Sequence, residues 1–265
     1  MDPLQGKRIA IVGVGLLGGL LLERMLAAGL ARDRIIACEP RPERRAEIAA
    51  RYGVPVTDDN RRAAEADAVL LAVPPPAILP VLRELSPLLR PGQLVISLAA
   101  AVPLAALEAA VDENVAVMRA LPNSPALVGQ GVTPVVYGRT MPPPAHALAE
   151  LLLDCWGESI EVPDGLMNAC VGVAAAAPTY IFPVIEALAE AGTQSGLPPD
   201  VALRIAASVV RGSGAVVEET GLSPQALAAL TPLQPLRAAE ARALFVEAVG
   251  VARGKMEALQ AKLGF

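Results

Sequence analysis

The stretch Arg8 to Gly19, R-I-A-I-V-G-V-G-L-L-G-G, leaves the chain few folds to choose from. Its apolar run Ile9 to Val12 reads as a buried parallel strand, Gly13, Gly15 and Gly18 stand in G-x-G-x-x-G spacing, and an apolar helical pattern follows from Leu20 to Ala28. Strand, tight turn and helix N-terminus in that order frame a dinucleotide site. The first glycine permits the turn, the second lets backbone approach a pyrophosphate, and the third lets helix and strand pack closely. Unpaired N–H groups and the positive end of the helix dipole then face the phosphates, so Gly13, Gly15, Leu16, Leu17 and Gly18 are cofactor-binding candidates.

A second apolar strand, Arg34 to Cys38, ends at Glu39, which lies 21 positions beyond Gly18. An acidic residue roughly 20 positions on takes the adenosine ribose hydroxyls in such folds, which favours NADH. Arg41, Arg44 and Arg45 follow at once. Their guanidinium groups suit the 2′-phosphate of NADPH, or else form one solvated face of a charged helix from Arg41 to Tyr52. The expected cofactor is NADPH or NADH, with Glu39 and Arg41 at its adenosine end.

The alternation continues. Val54 to Thr57 reads as a strand, Asn60 to Ala66 as a helix, and Ala68 to Val73 as a strongly apolar strand stopped by Pro74-Pro75-Pro76. Ala72, Val73 and Pro74 sit at a strand's carboxyl end, where doubly wound sheets bind ligands. A helix from Ile78 to Leu89 leads to a strand from Gln93 to Leu98, whose end carries Ala99 and Ala100, small enough for a cofactor ring to approach the backbone. Ala116 to Met118 and Thr133 to Tyr137 are two more strands, with the stiff loop Arg119-Ala120-Leu121-Pro122-Asn123-Ser124-Pro125 between them. A helix that follows Pro142-Pro143-Pro144 and runs to about Cys155, and a strand near Ser159 to Val162, complete an α/β, Rossmann-type doubly wound sheet.

From Asp164 onward the strand signals stop. Helices are expected over Leu166 to Ala177, Tyr180 to Ala191, Pro199 to Glu219, Pro224 to Leu230 and Arg237 to Leu263. The boundary falls near Pro163, giving a dinucleotide-binding domain over residues 1–162 and an all-helical domain over residues 163–265. The chain is 54% apolar and only 18% charged, and helices this apolar need a second surface to bury them. A homodimer through the C-terminal helices meets that need.

A net charge of −5 and no basic stripe argue against nucleic acid as a partner, and a small molecule is the expected substrate. Cys38, Cys155 and Cys170 are scattered and odd in number, with no C-x-x-C spacing. That pattern fits a reducing, cytoplasmic compartment and supplies no metal site. The Met1 to Leu21 segment is interrupted by Gly13 to Gly19 and lacks an A-x-A cleavage site, so it is not read as a signal peptide. No uninterrupted apolar run of about 18 residues marks a membrane span.

Most of the chain resembles the pyrroline-5-carboxylate reductase family. Ser97-Leu98-Ala99-Ala100-Ala101-Val102 is similar to that family's S-I-A-A-G-V, and Arg119 to Pro125 to its R-x-M-P-N-T-P. Asn60 occupies the family's asparagine near the adenosine end of the cofactor. Pro178-Thr179-Tyr180, Glu186, Ala187 to Gly192 and Gly196-Leu197 resemble its P-A-Y, E-A-x-A-x-A-G and G-L pattern. The resemblance implies a Rossmann domain, a helical dimerisation domain and NAD(P)H reduction of a cyclic imine to proline, a step of proline biosynthesis.

There are departures. The family's A-V-K-P reads Ala72-Val73-Pro74-Pro75, its G-S-G-P reads Ala175-Ala176-Ala177-Pro178, and its substrate-gripping S-P-G-G-T-T reads Thr231-Pro232-Leu233-Gln234-Pro235-Leu236. Amides and hydroxyls that would hold a substrate carboxylate are thereby replaced by apolar side chains and a proline without an N–H.

Hydride transfer takes its chemistry from the cofactor, and a protonated imine accepts hydride without a strong catalytic acid. Thr231 and Asn123 are the catalytic candidates, and Ser124, Pro178, Thr179 and Pro232 the substrate-binding ones. A hydroxyl of Thr231, Thr179 or Tyr180 could donate to the imine nitrogen. Asn123 and Ser124 stand out because a polar pair between prolines at the ligand end of the sheet has little packing reason to exist, and Asn123 also counts as a cofactor candidate. Two alternatives stand beside this reading. The opening motif and Leu70 to Pro74 also resemble prephenate or arogenate dehydrogenases, which need a first-domain histidine, and the only histidine is His146. A non-catalytic dinucleotide-binding dimer would explain the altered Thr231 to Leu236 loop.

Overall fold

A computed structural model describes residues 6–265. The first five positions of the expected domain, which also begin the Met1 to Leu21 segment, lie outside the described residues. Two compact units are present: one runs up to Ala176 and takes in Val251–Phe265, and the other is Ala177–Gly250.

The first unit is built on one eight-stranded sheet in the order β3-β2-β1-β4-β5-β6-β7-β8. The strands are β1 (Ile9–Val12), β2 (Ile35–Cys38), β3 (Val56–Thr57), β4 (Ala68–Leu71), β5 (Leu94–Ser97), β6 (Ala116–Ala120), β7 (Gly131–Tyr137) and β8 (Gly157–Glu161). The first six are parallel; β7 pairs with β6 antiparallel, and β8 follows β7 in parallel. The 3-2-1-4-5-6 portion reverses its winding between β1 and β4, and a dinucleotide crosses a doubly wound sheet at that point.

Alternate residues of each strand feed opposite faces. Ile9 and Ile11 join one buried cluster with Leu21, Leu22 and Met25 of helix α1 (Leu16–Ala27), Ile48 of α2 (Pro42–Tyr52) and Leu152 of α5 (Pro143–Asp154). Ala10 and Val12 join the other cluster with Ile78 and Leu82 of α3 (Pro75–Leu85) and Leu107 of α4 (Leu104–Glu108). Strands buried on both faces read as continuous apolar runs, which is why β1, β4 and β5 stand out in the sequence.

Several boundaries differ from expectation for local reasons. Helix α3 starts at Pro75 and not Ile78, because prolines at the first helical positions give up only N–H groups that have no helical acceptor anyway. Asn60–Glu65 is a 3-10 helix capped by Asp59. Beyond the sheet, the expected single helix over Leu166 to Ala177 is a 3-10 turn (Asp164–Leu166), a short α6 (Met167–Cys170) and a π-helix (Val171–Ala175).

The second unit is helical: α7 (Pro178–Gln194), α8 (Pro199–Thr220), α9 (Pro224–Ala228) and most of α10 (Ala238–Lys262). The N–H of Leu197 bonds to the Gly192 carbonyl at 3.1 Å and Gly196 takes φ +96, closing a tight turn between α7 and α8. A Cβ on Gly192 would lie 3.1 Å from Ala202 Cβ, so glycine lets these two helices approach closely. Only Pro178, Ala202 and Ala206 of α7 and α8 are buried, whereas Ile181, Phe182, Leu188, Leu203, Ile205 and Val209 are exposed. Among the described residues one helical run, Asp164–Gln194, is long and apolar enough to cross a membrane by length and composition, and 22% of its apolar window is buried.

Candidate dinucleotide-binding site

Gly13 leaves β1 with φ +89, and its N–H donates to the Cys38 carbonyl at 2.9 Å. A Cβ there would lie 2.8 Å from Val73 Cγ1 and 3.0 Å from the Ala72 carbonyl. A Cβ on Gly18 would strike the Gly13 carbonyl oxygen and crowd Ala72 Cβ at 3.3 Å. These two glycines serve the turn and the packing of α1 on the strand ends. Gly15 differs: it is the extended residue before α1, and a Cβ on it would meet nothing within 4 Å. The first helical bond runs from Gly19 N–H to the Gly15 carbonyl at 2.9 Å, so the amides of Leu16, Leu17 and Gly18 have no helical acceptor. An open face beside a helix N-terminus is the shape a pyrophosphate requires, and the fingerprint residues fit a dinucleotide. Ala72, Val73 and Pro74 flank it, because Ala72 N–H bonds to the Val12 carbonyl at 2.8 Å.

The end of β2 carries the adenosine-side candidates. Glu39 is 2% exposed and accepts from Arg41 Nε at 2.7 Å, from Arg41 N–H at 3.3 Å and from Arg41 Nη2 at 3.4 Å. Burial pushes its carboxyl pKa up, but the Arg41 hydrogen bonds and the charges of Arg41 and Arg44 outweigh burial and hold it below the ordinary value. Arg44 donates from Nε and Nη2 to the Val14 carbonyl at 3.3 and 3.2 Å, placing a cation against the glycine turn. Arg45 binds the Glu39 and Pro40 carbonyls at 3.1 and 2.7 Å. These three arginines are therefore anchored around the β2 end. Asn60 begins the 3-10 helix after β3 and donates to Glu84 at 3.3 Å. Cys38 is no nucleophile: burial first, then the nearby charge of Asp59, raise its thiol to about 12.

Ala99 and Ala100 follow β5, the second strand beyond the reversal. The Ala100 carbonyl accepts from Arg119 of β6, whose guanidinium also pairs with Asp164. Sequence reading gave neither Arg119 nor Asp164 a role. The available signal was Arg119 as the one charge in the apolar strand A-V-M-R-A.

Asn123 is 7% exposed, and both ends of its amide are used: Oδ1 accepts from Val132 N–H at 3.1 Å and Nδ2 donates to the Ala174 carbonyl at 3.2 Å. The helical donor for that carbonyl would come from Pro178, which has no N–H. Asn123 donates to that carbonyl from outside the helix, within a π-helix in which Ala176 N–H bonds to the Val171 carbonyl at 2.8 Å. Asn123 thus has a packing reason to exist. Ser124 beside it is exposed and opens a 3-10 turn, Ser124–Val128.

The remaining candidates belong to the second unit. Pro178 is buried at the start of α7 and Thr179 next to it is exposed. Thr231 lies in the turn after α9, its N–H on the Ala228 carbonyl at 3.2 Å, and Pro232 follows, both exposed. Leu233 and Leu236 are 77% and 73% exposed.

His146 lies on α5, its ring 4.8 Å from that of Tyr137. Because β7 runs antiparallel, α5 starts at the amino end of the parallel strands, where Pro142 approaches Gly92 just ahead of β5. The glycine turn is at the carboxyl end. His146 is therefore at the wrong end of the sheet to meet a ligand there.

Residues 8–101 match a family model described as NADP oxidoreductase coenzyme F420-dependent, and residues 164–231 match one described as pyrroline-5-carboxylate reductase dimerisation. The pyrroline-5-carboxylate reductase of Corynebacterium melassecola is 34% identical over 225 residues, 83% of this chain and 83% of its own. A solved pyrroline-5-carboxylate reductase from Coxiella burnetii superposes with TM-score 0.79 at 28% identity, covering 96% of this chain and 98% of the other. The Plasmodium falciparum pyrroline carboxylate reductase, solved with NADP bound, shares the fold at TM-score 0.84 and 20% identity, over 97% and 99% of the two chains. Identity at this level across most of both sequences, with the dimerisation match starting where the sheet ends, shows that the chain belongs to the pyrroline-5-carboxylate reductase family.

Proposed function

We propose that this protein uses NAD(P)H to reduce pyrroline-5-carboxylate, or a closely related cyclic imine, to proline or its analogue. The observation that carries the reading is the open backbone face at Gly15 beneath three helix-start amides, in a chain of this family. Bound NAD(P)H supplies the hydride. The chain holds the pyrophosphate on the amides of Leu16, Leu17 and Gly18, and sets the adenosine end against Glu39, Arg41 and Asn60. The nicotinamide end lies across the switch point, along Ala72 to Pro74 and Ala99-Ala100. Asn123 fixes the loop that presents Ser124, and the Thr231 hydroxyl is the proposed donor to the imine nitrogen, with Pro178, Thr179 and Pro232 as its substrate-side neighbours in function.

Residues 1–162 are the proposed cofactor domain and residues 163–265 the proposed dimerisation domain of a homodimer. The dimerisation match and the exposed apolar side chains of α7 and α8 support this. Three buried, unbridged cysteines support a reducing, cytoplasmic setting. The exposed leucines of the Thr231 to Leu236 loop favour, as a second reading, an imine without a carboxylate. Loss of nicotinamide absorbance with pyrroline-5-carboxylate supports the first reading, loss only with uncharged imines supports the second, and cofactor binding without turnover of any acceptor defeats both.

The charge at Glu39 gives a separate test. A buried carboxylate at the ribose end accepts hydroxyls but opposes a 2′-phosphate. Glu39→Gln should raise affinity for NADPH relative to NADH by about fivefold to tenfold, the scale of one screened unit charge at about 1 kcal/mol. Titration of both cofactors by fluorescence checks this, and an unchanged ratio would place the adenosine end elsewhere.

A further inference from the structure

Resting on the functional reading above, we infer that Arg119, together with Asp164, is a positioning residue that sets the Ala99-Ala100 segment for the nicotinamide end of the cofactor. The sheet order puts that end on this side. With the pyrophosphate at the β1–α1 turn and the adenosine at the end of β2, the other half of the molecule extends toward β4, β5 and β6. Ala99 and Ala100 are the first residues past the end of β5 after Leu98, and Ala100 is half-buried.

The segment from Ala100 to Leu104 is held at both ends by one ion pair. Arg119 Nη2 donates to the Ala100 carbonyl and Nη1 to Asp164 Oδ1, while Asp164 Oδ2 accepts from the Leu104 N–H at 3.2 Å. Leu104 is the first residue of α4, so the same carboxylate fixes the start of that helix. The two partners are 45 positions apart, and Asp164 lies where the sheet gives way to helices.

Stability is a poor reason for this arrangement. The Arg119 side chain is 3% exposed against 32% for Asp164, so the cation carries the burial, and among the described residues its Nε has no partner. Burying a guanidinium costs desolvation that an ion pair often fails to recover relative to apolar side chains of similar volume, and an unpaired buried N–H adds to the cost. What the pair provides is placement: a guanidinium fork and a bidentate carboxylate fix a carbonyl and an amide four residues apart.

The test separates placement of the nicotinamide from binding in general. Wild type, Arg119→Met, Arg119→Lys and Asp164→Asn are titrated with NADPH, NADH and ADP-ribose, the last keeping the pyrophosphate but lacking nicotinamide. Steady-state kinetics with pyrroline-5-carboxylate and thermal melts are recorded alongside. Arg119→Met is expected to lose about tenfold or more in affinity for the reduced cofactors and in kcat, the scale of one charge-assisted hydrogen bond. Its affinity for ADP-ribose should stay within about twofold. Arg119→Lys, which reaches one acceptor and not both, falls between, and Asp164→Asn shifts in the same direction as Arg119→Met. A folded Arg119→Met protein with wild-type cofactor affinity and kcat overturns the inference, as does one that loses ADP-ribose and NADPH affinity equally. If Arg119→Met does not fold, Asp164→Asn decides: a split between the two ligands supports the role, and unchanged values overturn it. A wild-type chain that binds neither cofactor overturns the functional reading itself and the inference with it.

Discussion

Gly15→Val is expected to abolish NAD(P)H binding while leaving the protein folded. A Cβ on Gly15 meets nothing within 4 Å, so a valine and its two methyl groups should cost little stability. Its backbone is already extended, which valine adopts readily. The same methyls occupy the face on which a pyrophosphate would rest. Removing two amide-to-phosphate bonds at about 1.5–3 kcal/mol each weakens binding by more than about a hundredfold. Gly18→Val is the contrasting change. Its Cβ runs into the Gly13 carbonyl oxygen, so it should lower the melting temperature as well, with an overpacking cost of about 1–3 kcal/mol. Isothermal titration and thermal melts on the two variants check the contrast. A Gly15→Val protein that binds cofactor normally would contradict the assignment of the glycine turn.

The second large effect concerns assembly. Ile205, Val209 and Val216 share one face of α8, four and seven residues apart, and are 48%, 53% and 39% exposed. Patches of this kind in a soluble chain mark an interface. The double variant Ile205→Asp with Val209→Asp would place two carboxylates in that interface, each costing several kcal/mol to desolvate. Dimer dissociation should therefore rise by more than about a thousandfold, and light scattering should report monomers where the wild type reports dimers. A variant that remains dimeric would move the interface off this face of α8.

The elements that were legible in the sequence are those whose cause is local. The strand Ile9–Val12 and the glycines after it could be read directly, because burial on both faces and a turn that only glycine can make leave plain marks. The helix starts at Pro199 and Pro224 were equally readable, because proline at a first helical position marks a start. Features that depend on distant partners were not. The five-residue α4 is too short for periodicity to show. The bond from Asn123 to the Ala174 carbonyl in the π-helix spans 51 positions. Asn123 itself was read as ligand-facing from its prolines, and its amide is committed to Val132 and Ala174. Arg119 was read only as the first residue of its loop motif, and its pairing with Asp164 escaped notice because an ion pair between residues 45 apart leaves no spacing signal. The prephenate-type alternative turned on His146, and only the antiparallel run of β7 shows which end of the sheet that residue occupies.

The central claim is that hydride passes from NAD(P)H to the imine carbon of pyrroline-5-carboxylate. Cofactor carrying deuterium at both C4 positions of the nicotinamide, incubated with the protein and pyrroline-5-carboxylate, tests it most directly by mass spectrometry of the product. Proline bearing one deuterium at C5, formed in step with oxidised cofactor, is the predicted result. Unlabelled proline, or tight cofactor binding with no proline formed, would contradict it.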